Sequence, residues 1–243
     1  MKKILSKLLG GVLLFNLSMS LTSCDPYLDD ILGEWSRPTP GNVTPGTDEG
    51  EVTSITVDLS KIDEKYLGSV VCSDGNVYPA KTAAPSGKTA VGILGKVTAK
   101  GHGLILALQD AATSQTWKTI NGWTSVDTYA GTTLKQLPAG ALGSLTSYTT
   151  LGSTTVSNWC VAQKSDYDAI FKNLGSAKYD SDGYTYDANV NAYITTGVGG
   201  TAISGTYWST TENSSTVGWA FSSSYWNGCN KDLYNSLRPV LGF

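Results

Sequence analysis

Only one stretch of this 243-residue chain carries a clear helical stripe. Tyr167, Ile170, Phe171 and Leu174 fall at i, i+3, i+4 and i+7, Ser165 and Asp168 have capping-box spacing, and Gly175 supplies a stop. The spacing predicts a helix over Ser165 to Leu174 that buries one face. Much of the remaining chain is broken into short apolar runs between glycines, of which there are 27. Such a chain is expected to build small antiparallel sheets with a few helices, an α+β arrangement.

The strand candidates follow from alternation and turn chemistry. Ser54 to Leu59 alternates with period two. Gly68 to Cys72 and Asn76 to Tyr78 read as a hairpin on the Asp74-Gly75 turn. Ala90 to Leu94 reads as a buried strand, and Gly103 to Leu108 fits a buried strand or the start of a helix. A short helix is expected around Thr132 to Leu137, stopped by Pro138. Ser176 to Gly205 has no convincing periodicity and reads as a long Gly-, Asp- and Tyr-rich loop. Three strand-like segments close the chain: Thr206 to Thr211, Val217 to Tyr225, and Leu237 to Phe243.

The N-terminus reads as an export signal. Lys2, Lys3 and Lys7 precede an apolar run, Leu8 to Leu17, that is too short to span a bilayer. Leu21-Thr22-Ser23-Cys24 follows and resembles a bacterial lipobox, which makes 1–23 a lipoprotein signal peptide and Cys24 the lipidated first residue. Two or three acyl chains hold a protein on a membrane durably, whereas one is reversible. Asp25, Asp29 and Asp30 beside the anchor resemble surface-export signals of gut-bacterial lipoproteins, while Asp directly after the lipidated Cys signals inner-membrane retention in enteric bacteria. The outer membrane, facing the cell surface, is the expected location. Residues 24–53 carry Pro26, Pro38, Pro40 and Pro45 among glycines and read as a tether. Extended at roughly 3.1 Å per residue, it would reach about 90 Å. The folded domain is expected over 54–243.

Charge narrows the function. Charged residues make up 15% of the chain, and acids outnumber bases, 20 to 17. Without the three signal lysines the balance is 14 bases to 20 acids, a net charge of −6. Nucleic-acid binding is not expected, because it needs clustered Lys and Arg. One His leaves little for acid–base catalysis or for a zinc site. Cys72, Cys160 and Cys229 remain after the anchor, and a Cys160–Cys229 bridge fits an oxidising envelope.

Tyr207-Trp208-Ser209-Thr210-Thr211-Glu212, Gly218-Trp219-Ala220-Phe221 and Leu237-Arg238-Pro239-Val240-Leu241-Gly242-Phe243 resemble, in that order, signatures of a bacterial C-type-lectin-like domain family. That family occurs at the C-terminus of a collagen-like adhesin and in gut-bacterial lipoproteins. Trp159 to Tyr167 resembles its approach to a helix, with Val161-Ala162 in place of Leu-Pro and Gln163 in place of Ser. The likeness covers about 67–243. It implies paired N- and C-terminal strands, two helices, and a long loop above a small antiparallel sheet. Trp208, Trp219 and Arg238 are then expected to be structural.

Sugar binding uses aromatic faces beside carboxylates and amides. The loop and its neighbours offer Tyr179, Asp180, Asp182, Tyr184, Tyr186, Asp187 and Asn189, then Glu212, Asn213, Trp226 and Asn227 as candidate ligand-binding residues. Calcium is a candidate cofactor, although only Trp226-Asn227-Gly228 resembles a calcium-lectin triplet and Asp180-Ser181-Asp182-Gly183 lacks the rest of an EF-hand. The expected function is a surface-anchored adhesin or glycan-binding lipoprotein without catalysis, its partners a membrane and a polysaccharide or surface protein. The alternative is an assembly component, such as a pilus tip subunit, that binds a protein.

Overall fold

The computed structural model describes residues 56–111, 114–121, 126–129, 131–181 and 183–243. Cys24 and the 24–53 tether lie outside them. The described residues belong to a compact unit, Val52–Phe243.

The chain begins with β1 (Val57–Asp58), β2 (Val70–Cys72), β3 (Asn76–Tyr78), β4 (Ala90–Ala99) and β5 (His102–Ala107). Next come β6 (Gln115–Thr116), α1 (Trp117–Asn121), β7 (Val126–Tyr129), β8 (Thr132–Gln136), β9 (Thr150–Leu151), β10 (Thr154–Thr155) and β11 (Cys160–Val161). After α2 (Lys164–Asn173) stand β12 (Lys178–Asp180), β13 (Gly183–Tyr184) and α3 (Ala188–Thr195). The last strands are β14 (Tyr207–Glu212), β15 (Val217–Phe221), β16 (Trp226–Asn230), β17 (Tyr234–Asn235) and β18 (Val240–Gly242). Nine strands form one sheet in the order β1-β3-β2-β4-β5-β18-β11-β8-β7, and β14-β15-β16 form a second of three strands. The named strand pairs are all antiparallel. The architecture is therefore α+β and dominated by antiparallel sheet.

Where alternation is clean, local sequence and structure agree. The β2–β3 hairpin turns at Gly75, whose φ of +79° suits glycine. Gly103 to Ala107 adopts strand, with Leu108 just past its end, because β5 lies between β4 and β18 and needs both faces apolar. α2 buries Tyr167, Ile170, Phe171 and Leu174 completely. Phe221 of β15 packs on this face, its ring centroid 4.8 Å from that of Tyr167 and 5.1 Å from that of Phe171. The expected capping box is absent. Gln163 is the N-cap without a side-chain bond, and Thr211 Oγ1 accepts from the Lys164 N–H at 2.9 Å. Asp168 turns instead to the Tyr184 N–H.

Several expectations are corrected. Thr132 to Gln136 is strand, not helix, since Thr132 and Leu134 are buried on one face while Thr133 is exposed. The long loop contains α3 and the β12–β13 hairpin, so the described residues hold three α-helices rather than two. Asp187 caps α3 by accepting from the Asn189 and Val190 N–H groups, and Val190 and Ile194 provide its buried stripe. The segment expected as one strand, Val217 to Tyr225, is β15 followed by a turn into a further strand, β16. The last strand, β18, pairs with β5 and β11, while β1 lies at an edge of the same sheet and pairs with β3.

Candidate functional site

Trp208 and Arg238 are fully buried, as their expected structural role requires. The Trp208 indole N–H donates to Gln115 O at 2.8 Å. Arg238 Nη2 donates to Thr201 O at 2.9 Å and Nη1 to Ala107 O at 3.3 Å, while Nε stands 2.9 Å from Asp110 Oδ1. Tyr207 donates to Asp110 Oδ2 at 2.9 Å. Burial pushes the Asp110 carboxyl up from its ordinary value, against the pull of Arg238 and Tyr207. The same burial pulls the Arg238 guanidinium down, and it pushes the Tyr207 phenol up to about 12. This network fastens the chain's end to the core. Trp219 differs, being only half-buried.

Several candidate ligand residues serve the fold instead. Trp226 is 3% exposed, packs edge-on to Phe221 at 5.4 Å, and donates its indole N–H to Tyr184 O at 2.8 Å. Tyr186 is buried, and its hydroxyl donates to Gly205 O and accepts from Gly205 N–H. Asp187 is committed to its cap and to the Ala177 N–H. Asn189 donates to Gly175 O at 3.0 Å. Glu212 is exposed but paired with Lys231, a buried lysine that lies 4.4 Å over the Trp117 ring. Asn213 belongs to the β14–β15 turn, where its N–H donates to Val217 O at 2.9 Å. Tyr184 is half-buried and Asn227 is exposed on β16. Tyr179 and Asp180 belong to β12. Asp182 lies outside the described residues.

The thiols of Cys72, Cys160 and Cys229 form no disulfide, so the Cys160–Cys229 bridge is not made. Cys160 is held in the nine-stranded sheet, its thiol donating to Asn158 O at 3.0 Å, while Cys229 belongs to the three-stranded sheet. Burial pushes the Cys72 thiol up to about 11, which keeps it protonated and unreactive. Among the described residues no group of three or more His, Cys, Asp or Glu side chains is gathered as a metal site. Among them also, no helix is long and apolar enough to cross a membrane.

A concave surface lies at the start of α2. Gln163, Lys164, Ser165, Asp168 and Thr211 line a cavity of about 360 Å³. Residues 164, 168 and 172 share one face of α2, with a row of rings beside them. Lys164 Nζ stands 5.2 Å from the Trp219 ring and 4.7 Å from that of Trp226, and Lys172 Nζ is 5.8 Å from the Tyr184 ring. Amide, hydroxyl and carboxylate groups thus meet beside aromatic faces. Of the expected ligand residues, Tyr184 and Trp226 stand near these lysines, although neither lines the cavity. A second, smaller cavity of about 180 Å³ lies among Leu108, Gln109, Ser144, Tyr148 and Trp159. Sequence reasoning missed the first cavity because Thr211 reaches it from β14, 47 positions from Lys164.

No family model matches this chain, and no curated protein matches it.

Proposed function

We propose that this chain is a lipid-anchored surface protein whose folded unit, C-type-lectin-like in architecture, binds a glycan without catalysis. The reading is supported by the lipobox-like Leu21 to Cys24 and by the order of the closing motifs. The observation that carries it is the cavity lined by Gln163, Lys164, Ser165, Asp168 and Thr211, which gathers amide, hydroxyl and carboxylate groups and whose Lys164 stands 5.2 Å from the ring of the half-buried Trp219. Sugar rings present hydroxyls at their edges and C–H faces above and below, so they need both kinds of surface together.

The test is a glycan array probed with the full chain solubilised in detergent, followed by titration of a hit. Gln163→Ala with Ser165→Ala is expected to weaken that binding at least tenfold while the melting temperature holds. A blank array, or variants that bind like the parent, would overturn the reading. For the anchor, Cys24→Ala is expected to abolish palmitate labelling and release the chain from the salt-washed membrane pellet; a mutant that stays labelled and pelleted refutes the lipoprotein assignment.

A further inference from the structure

We infer that Trp219 is the stacking platform of the glycan site and that the sugar it takes is a neutral pyranose ring, held beside Gly228 with the Asn213 amide at its edge. The inference rests on the glycan-binding reading above and names the surface and the class of sugar that the cavity alone leaves open. Along β15, Val217 and Trp219 are half-buried while Gly218 and Ala220 are buried, so 217 and 219 share the more open face of the strand. Phe221 lies two positions further on that face and is covered by Tyr167 and Phe171 of α2. Trp219 is not covered in this way. Trp117, Trp159, Trp208 and Trp226 are each at most 4% exposed, and among the described residues Trp219 is the tryptophan left half-buried.

The neighbouring strands leave room beside this indole. Gly228 of β16 stands directly opposite Trp219. Directly opposed side chains in an antiparallel pair meet, and a glycine leaves its partner uncovered from that side. Gly228 does not have a positive φ, so the backbone does not require glycine there and its smallness is what the position uses. A Cβ at 228 would stand 2.7 Å from Asn213 Nδ2 and 2.9 Å from Val217 Cγ1. The Asn213 amide therefore lies over Gly228, in an exposed residue whose side chain hydrogen-bonds nothing among the described residues.

On the other side of β15 the register of β14 passes from Trp208↔Ala220 to Glu212↔Gly218, which places two extra residues on β14. This bulge carries Thr211 to the start of α2, where its Oγ1 accepts the Lys164 N–H. Ser209, within the bulge, donates its hydroxyl to Trp219 O at 2.9 Å and fixes the strand behind the indole. Trp219 thus stands between the cavity and the Asn213 amide, on backbone that is already held. A pyranose presents a C–H face to such a ring and hydroxyls to the groups at its rim. The local charges cancel: Lys164 and Asp168 are opposite in sign and one turn apart on α2, and Glu212 is paired with Lys231. An uncharged sugar fits this surface without an unmatched charge.

The detergent-solubilised full chain is titrated with neutral hexasaccharides of glucose, mannose, galactose and xylose, and with the hexasaccharide of galacturonic acid. A neutral hexasaccharide is expected to bind and the acidic one is not. Trp219→Ala should weaken that binding at least tenfold, and Trp219→Phe, which keeps a ring, should weaken it less. Gly228→Ala should also weaken it, by displacing the Asn213 amide, with the melting temperatures of Trp219→Phe and Gly228→Ala close to the parent's. N-Bromosuccinimide oxidation followed by mass spectrometry should modify Trp219 before Trp208 and Trp226, and the bound hexasaccharide should protect it. Binding of the acidic hexasaccharide alone or of none of the set, a Trp219→Ala variant that binds like the parent, or oxidation of Trp219 unchanged by the sugar would each overturn the inference. A chain that still takes glycans on the array, and loses them with Gln163→Ala and Ser165→Ala, keeps the glycan reading in each of those cases; a blank array overturns both.

Discussion

β14 and β16 flank the same central strand, and each supplies one buried tryptophan whose indole N–H is fixed to a backbone carbonyl at 2.8 Å. Their free sides differ. Trp208 N–H donates to Ser236 O and Thr210 N–H to Ala162 O, so β14 is paired along both edges, with Tyr207, Trp208 and Ser209 all buried. Beyond Trp226, β16 has Asn227, Gly228 and Asn230 in solvent. The tryptophan in each strand is a core anchor; what separates the strands is whether the backbone beyond it has a partner. The two buried tryptophans of this sheet therefore do not report where a ligand binds.

The largest effects should come from the two anchors. Trp208→Ala and Trp226→Ala are each expected to cost about 3–5 kcal/mol, because each empties a buried indole site and leaves a carbonyl without its donor. Denaturant unfolding of both variants measures this. A Trp226→Ala variant within about 1 kcal/mol of the parent would break the comparison and return Trp226 to the candidate ligand residues.

A smaller effect tests the connection between the two strands. Glu212 of β14 pairs with Lys231, just past β16, and the Glu212 side chain is 56% exposed. An exposed partner contributes little, and Lys231 keeps Ser215 O at 3.1 Å and the Trp117 ring after the carboxylate is neutralised. Glu212→Gln is expected to cost up to about 1 kcal/mol, less at high salt. A loss above about 3 kcal/mol would show that the pair behaves as a buried one.

The sequence discloses the fold where packing follows local pattern. α2 is legible because four apolar residues form one stripe, and β2 to β5 are legible because apolar runs end at turn residues. α3 is hidden because only Val190 and Ile194 of its stripe are buried, among Asn and Tyr. β16 is hidden because Asn and Gly have poor strand propensity, and only pairing to β15 makes it a strand. The site was least legible. Burial, which sequence does not give, separates Trp226 from Trp219, and the cavity assembles from α2 and β14 across a long separation.

The smallest expected effect probes what holds the covered side of β14. Asp110 receives Tyr207 of β14 and stands against Arg238, yet burial raises its carboxyl above the ordinary range of about pH 4. The folded chain thus binds this proton more tightly than the unfolded chain does. Stability contributed by Asp110 is greatest below the ordinary aspartate value and falls as pH rises from there through the raised one, levelling off above it. Asp110→Asn removes the titration and keeps the side chain's shape. Unfolding free energies measured from acid to neutral pH should therefore show the parent's advantage over Asp110→Asn declining as pH increases. An advantage that grows with pH would mean that Arg238 outweighs burial, and that the covered edge of β14 is held by an ion pair stronger than its desolvation.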